Sequence, residues 1–171
     1  MTAPNVVTEM FAAYRTSLDS LEGKLGSAFS DAVDLLEGMS GTVVVCGMGK
    51  SGLVGAKITA TLTSTGTPSV FLHPAEAMHG DLGIVRKGDV IILISNSGET
   101  EEITRLLPAL KRLAVRIIAL VGNVDSTMAR AADICLDAAI DKEACPLNLA
   151  PTTSTLAALV LGDALAVALM E

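Results

Sequence analysis

Tryptophan is absent from this 171-residue sequence, tyrosine occurs once and phenylalanine three times. With so few rings there is little on which nucleobases could stack, and a net charge of −7 with a pI near 4.8 repels a phosphate backbone, so a nucleic-acid partner is disfavoured. Cysteine is scarce as well. Cys46, Cys135 and Cys145 are odd in number and lack CxxC spacing, which fits a reducing compartment and excludes a zinc ribbon. The opening MTAPNVVTEMFAAYR has neither the basic start nor the apolar core of a secretory leader, so a cytoplasmic protein is expected. No apolar run makes a comfortable membrane span. The best, Thr152 to Met170, is short, is broken by Gly162-Asp163, lacks basic flanks, and reads as a helix buried in the core and against a neighbour.

What is abundant is apolar character: half the residues are hydrophobic, only 18% are charged, and mean hydropathy is +0.55. Such a composition implies faces buried between subunits. The length is that of one domain, residues 1–171, able to bury roughly 70% of its unfolded surface. Met10, Tyr14, Leu18, Leu21, Leu25, Phe29, Val33 and Leu36 recur at steps of three or four and form one helical face, with Gly23 and Gly26 marking a kink or a break. This N-terminal segment, 1–40, is expected to cover the core or a partner subunit.

Five apolar runs follow: 42–46, 69–72, 90–94, 115–121 and 134–136. They alternate with helical stretches, which predicts an α/β fold, a three-layer sandwich around a parallel sheet of about five strands. Right-handed crossovers and the common flavodoxin-like order 2-1-3-4-5 place the first and third strands side by side at the switch point. Between strands three and four, Ile103, Leu106, Leu107, Leu110 and Leu113 form an inward stripe, with Pro108 kinking the helix.

The loops after those two strands carry the chemistry. Gly47-Met-Gly49-Lys50-Ser51-Gly52 satisfies G-x-G-x-x-G, but the second strand ends in His73-Pro74 where a nicotinamide fold needs an acid for the ribose. A P-loop fails too, because its upstream glycine would be Val44. What remains is a tight turn with exposed N–H groups, Lys50 and Ser51. The second loop, Ser95-Asn96-Ser97-Gly98-Glu99-Thr100, sets three hydroxyls where a strand becomes a helix, as a phosphate cradle requires. Glu99, Glu101 and Glu102 open the next helix, and Thr152-Thr153-Ser154-Thr155 enters the last one. His73 and His79 have no metal-ligand spacing, so no metal is assigned.

Taken together, Gly47 to Gly52, Ser64-Thr-Gly-Thr-Pro68, His73-Pro74, His79-Gly-Asp-Leu-Gly83, Ser95 to Glu99, Ala129-Arg-Ala-Ala-Asp133, Lys142-Glu-Ala-Cys-Pro-Leu147 and Ala150-Pro-Thr152 resemble the sugar isomerase (SIS) domain of D-arabinose 5-phosphate isomerases. The resemblance runs from about Gly41 onward and leaves out that family's regulatory cystathionine-β-synthase-type domains. It implies interconversion of D-ribulose 5-phosphate and D-arabinose 5-phosphate on the way to Kdo and lipopolysaccharide, by a homotetramer needing no cofactor. By likeness Lys50 matches a catalytic lysine, Glu102 and Glu143 active-site acids, and the serine loop the phosphate site. The family's catalytic histidine lies in a downstream Ser-His-Pro-Gly-Gly segment that this sequence does not reach, so it is read either as part of a longer chain or as a SIS-only protein.

Aldose–ketose isomerisation passes through an enediol and needs a base, an electrophile for the carbonyl oxygen and a handle for the phosphate. Ser51, Ser95, Ser97 and Thr100 are candidates for the handle, with Gly49, Asn96 and Thr153 as further binding positions. Lys50 stabilises the developing oxyanion or assists ring opening, Glu102 or Glu143 moves the proton, and His79 either substitutes for the missing histidine or has a structural hydrogen-bonding role. A base glutamate is expected to be desolvated, with its pKa raised toward neutrality. The rival readings are a non-catalytic sugar-phosphate or nucleotide-sugar binding module, a truncated inactive fragment, or a SIS isomerase of hexulose or heptose phosphates.

Overall fold

A computed structural model describes residues 3–170; Met1, Thr2 and Glu171 lie outside the described residues. The elements are α1 (Ala3–Gly23), α2 (Ser27–Glu37), β1 (Val43–Gly47), α3 (Gly49–Ser64), β2 (Ser69–Leu72), α4 (Pro74–Met78), a 3-10 turn (Asp81–Ile84) and β3 (Val90–Ser95). Then come α5 (Glu101–Thr104), α6 (Leu107–Leu113), β4 (Arg116–Val121), α7 (Thr127–Ala131), β5 (Ile134–Asp137) and α8 (Thr153–Ala168).

All five strands are parallel, in the order β2-β1-β3-β4-β5. In β1 and β3 every residue is buried, so the strands read as continuous apolar runs, and the two-residue period decides which layer each side chain enters. Val43, Val45, Ile92, Ile94, Ile118 and Leu120 pack beneath α2, α3 and α8. Val44, Cys46, Ile91, Leu93, Ile117 and Ala119 pack against α4 to α7. Each fully buried Ile or Leu contributes about 1.5–3 kcal/mol through burial, and two such layers hold the sheet in place. Register pairs Gly47 with Ile94, so the ends of β1 and β3 lie side by side and the loops that follow them face one crevice.

The N-terminal stripe breaks after Gly23 into two helices, with Gly26 as the N-cap residue of α2. α1 packs on α8, and α2 on β5 and α8. Four side chains, Leu25, Leu113, Val160 and Val167, are more exposed than the sequence pattern implies. Leu25, counted in the helical face, is 44% exposed because it falls in the link between α1 and α2, where the 3.6-residue phase is lost. Leu113, counted in the inward stripe, is 37% exposed. The chain there divides into α5 and α6, with Pro108 in the first turn of α6, and Leu113 lies in the last turn before the left-handed Ala114. In α8, Ala157, Ala158, Leu161, Leu165 and Ala166 are buried, whereas Val160 and Val167 face outward. Among the described residues no helix is long and apolar enough to cross a membrane.

Candidate functional site

At the end of β1 the chain turns directly into α3, and a Cβ on Gly52 would stand 2.6 Å from the Gly47 carbonyl oxygen. Only hydrogen fits there, so strand and helix approach closely enough for the first turn of α3 to project Lys50 and Ser51 over the sheet edge. The first N–H groups of a helix have no intrahelical partner, and the dipole makes this end positive.

The loop after β3 is built differently from the cradle expected of it. Ser95 is 3% exposed; its Oγ accepts from the Gly98 N–H at 3.0 Å and is hydrogen-bonded to Thr100 Oγ1 at 2.8 Å. Ser97 Oγ accepts from the Glu99 N–H at 3.2 Å. These hydroxyls hold the turn itself, because Gly98 sits at φ +66° and orphans backbone donors that the side chains must satisfy. Asn96 is exposed and turns toward the crevice.

The third wall comes from the connection between β5 and α8. Glu143 accepts from the Thr152 N–H at 2.8 Å, the Thr152 hydroxyl at 3.0 Å and the Ser154 N–H at 3.3 Å, and also from the Ser154 hydroxyl. It thereby caps α8 from outside, since Thr152 makes no side-chain cap of its own. The same segment closes on itself: the Glu143 N–H donates to Asn148 Oδ1 at 2.6 Å, and the Leu149 and Ala150 N–H groups donate to Cys145 Sγ at 3.0 and 3.1 Å. Burial pushes the Glu143 carboxyl up, but the hydrogen bonds from Ser154 and Thr152 outweigh it and hold the group below the ordinary carboxylate value. The raised pKa expected of a base is therefore not found at Glu143.

Between these walls lies a pocket of about 430 Å³. Four of the residues singled out from sequence meet in it: Lys50, Ser51, Asn96 and Glu143. Gly49 adjoins it through Lys50. Ser95, Ser97 and Thr100 do not line it, for the reason just given. Glu102 is half-buried in α5 with no hydrogen-bond partner among the described residues, and it too is off the pocket wall. α5 packs against α4, at whose C-terminal end His79 is exposed, so His79 shares that neighbouring region. Thr153 is 1% exposed and its Oγ1 has no partner among the described residues, as is also true of His73 Nδ1. No group of three or more His, Cys, Asp or Glu side chains among the described residues is arranged to hold a metal ion.

Asp141, Lys142, Asn148 and Ser154 line the pocket and were missed as site residues from sequence. The signal available was position: the stretch begins four residues beyond the carboxyl end of β5, where open parallel sheets bind ligands.

A family model described as SIS domain matches residues 39–168. The chain is 58% identical over 157 residues to arabinose 5-phosphate isomerase KdsD of Pseudomonas aeruginosa, covering 92% of this chain and 48% of that protein. It is 55% identical over 163 residues to the protein of the same name from Escherichia coli K12, covering 95% of this chain and 50% of that one. The chain thus spans about half the length of these curated relatives. Among solved structures, an E. coli CFT073 protein in complex with arabinose 5-phosphate superimposes with a TM-score of 0.94 at 39% identity, covering 99% of this chain and 92% of the other.

Proposed function

The chain belongs to the SIS-domain family, and on that premise we propose that it is an aldose–ketose isomerase interconverting D-ribulose 5-phosphate and D-arabinose 5-phosphate in the supply of Kdo for lipopolysaccharide. The observation that carries this reading is the convergence of Lys50, Ser51 and Asn96 on one polar pocket, in a chain 58% identical to an arabinose 5-phosphate isomerase.

In this scheme the phosphate rests against the positive end of α3, with Ser51 and Asn96 donating to it. Lys50, on the same turn, offsets the charge that gathers on the carbonyl oxygen as the enediol forms. The base takes a proton from the carbon next to the carbonyl and returns it to the neighbouring carbon. A carboxylate already accepting four hydrogen bonds is a weak base, so Glu143 is assigned to holding α8 and the pocket wall. Proton transfer is assigned to the unpartnered Glu102, which stands off this wall in the single chain and reaches the sugar across the subunit contacts of the tetramer. His79 and Thr153 stay outside the proton-transfer step. The chain acts as one SIS unit, in the cytoplasm, as a homotetramer.

The test offers D-arabinose 5-phosphate to the purified protein and follows ribulose 5-phosphate. Turnover is expected in the parent, falling by about 100-fold or more in Lys50→Ala and Glu102→Gln with little change in KM for the latter. Binding of the sugar phosphate by the parent without turnover would overturn the reading.

A further inference from the structure

Of the 12 Lys and Arg in this chain, four form ion pairs among the described residues: Lys24, Lys57, Arg105 and Arg116. Lys50 and Lys142 form no ion pair among the described residues, yet they line the same pocket. Asp141 and Glu143 line the pocket as well, but the Glu143 carboxylate is taken up by the start of α8, so the two ammonium groups keep donors for an anionic, oxygen-rich guest.

Lys142 is also delivered there from a fixed root. The next residue, Glu143, is held through its N–H by Asn148 and through its carboxylate by the start of α8. The Lys142 side chain has free space on both sides of its stem: besides the main pocket it borders a groove of about 260 Å³ against Ala12, Ala13 and Ser17 of α1. Packing therefore does not account for a lysine at this position.

The two lysines come from different walls, so they reach the sugar from different sides, and Lys142 adds a second cation to the one Lys50 supplies at the carbonyl oxygen. Donors suited to a phosphate, the α3 N-terminus with Ser51 and the Asn96 side chain, lie on the walls that follow β1 and β3. Lys142 stands on the wall that follows β5. A phosphosugar anchored by its phosphate on the first walls directs its carbonyl end toward the last one. We infer that Lys142 is a substrate-contacting residue, binding the oxygens at the C1–C2 end of the sugar and stabilising the charge that develops there. The inference rests on the isomerase reading above. As the base removes the proton, the C–H electron pair becomes the C=C bond of the enediolate and the carbonyl π pair moves onto oxygen. The Lys142 ammonium donates a hydrogen bond to that oxygen and keeps its proton.

The experiment compares the parent with Lys142→Met and Lys142→Arg, using inorganic phosphate as a competitive probe of the other end of the pocket. For Lys142→Met, kcat/KM is expected to fall about 100-fold while the phosphate inhibition constant stays within about twofold of the parent. Lys142→Arg recovers part of the loss, and Tm is unchanged in both because the side chain is exposed. Unchanged kcat/KM, or phosphate binding weakened as much as turnover, would overturn the assignment. Should the parent bind arabinose 5-phosphate without turning it over, the isomerase reading fails separately. Calorimetry then decides the contact: Lys142→Met weakens arabinose 5-phosphate by about tenfold and spares phosphate, whereas equal affinity in parent and variant sinks it.

Discussion

Three cysteines that look alike in the sequence sit in three different environments. Cys46, in the middle of the sheet, is buried and its thiol is pushed up to about 12 by desolvation. Cys135 is raised by burial and by the neighbouring Asp137 carboxylate. Cys145 is partly exposed, and the Ala150 and Leu149 N–H groups donating to its sulfur pull the thiol below its ordinary value. Iodoacetamide at pH 8 is therefore expected to label Cys145 first and to leave Cys46 unmodified until the protein unfolds, as peptide mass spectrometry over a time course would read. Labelling of Cys46 as fast as Cys145 would contradict the order. The counts and spacing of these residues showed only that no disulfide framework or zinc ribbon was present. Their reactivities depend on donors four and five residues onward that a turn brings to one sulfur, and composition does not encode that turn.

At the scale of elements, α8 depends on a group outside itself. Its first turn donates to the Glu143 carboxylate, ten residues before its first helical residue. Because the folded-state pKa is held below the unfolded one, the stabilisation is fully present above the ordinary carboxylate range and is lost as pH falls through the folded value. Glu143→Gln should therefore lower stability at pH 7 by about 1 kcal/mol, the low end for hydrogen bonds to a charged group because Glu143 is partly solvated. The gap between parent and variant should narrow as pH falls through and below the carboxylate range, so thermal melts should show a smaller gap at pH 3 than at pH 7. A gap independent of pH would mean that shape, not charge, carries the cap. The elements themselves were legible: apolar runs became β1 to β5, and Gly23 and Gly26 marked the break between α1 and α2. Pro108 marked a break as well, but it separated α5 from α6 and let Leu113 turn outward.

For the whole molecule, the chain's apolar excess is not used up by its own core. Val7, Phe11, Leu53, Leu147, Leu149 and Val167 are all at least 48% exposed. Exposure of this kind, spread over α1, α3, α8 and the segment before α8, fits the tetramer proposed above. Light scattering at micromolar concentration is expected to give four times the 17.5 kDa chain mass, and a value equal to a single chain would reject the tetramer.

The serine-rich stretch after β3 marks the boundary between what the sequence determined and what it left open. Patterning alone specified a parallel α/β sheet, its strand order and the two loops at its switch point, because burial on both faces and right-handed crossovers leave few alternatives. Only the tertiary structure decided what each polar side chain does with its hydrogen bonds. Ser95, Ser97 and Thr100 read as ligand donors, yet they close their own turn; Glu143 read as a base, yet it caps a helix. Lys142 read as part of a motif without a role, yet it shares a pocket with Lys50. Hydrophobic burial follows a period written along the chain. Polar satisfaction depends on which donors and acceptors remain unpaired after distant segments meet, and no local pattern records that.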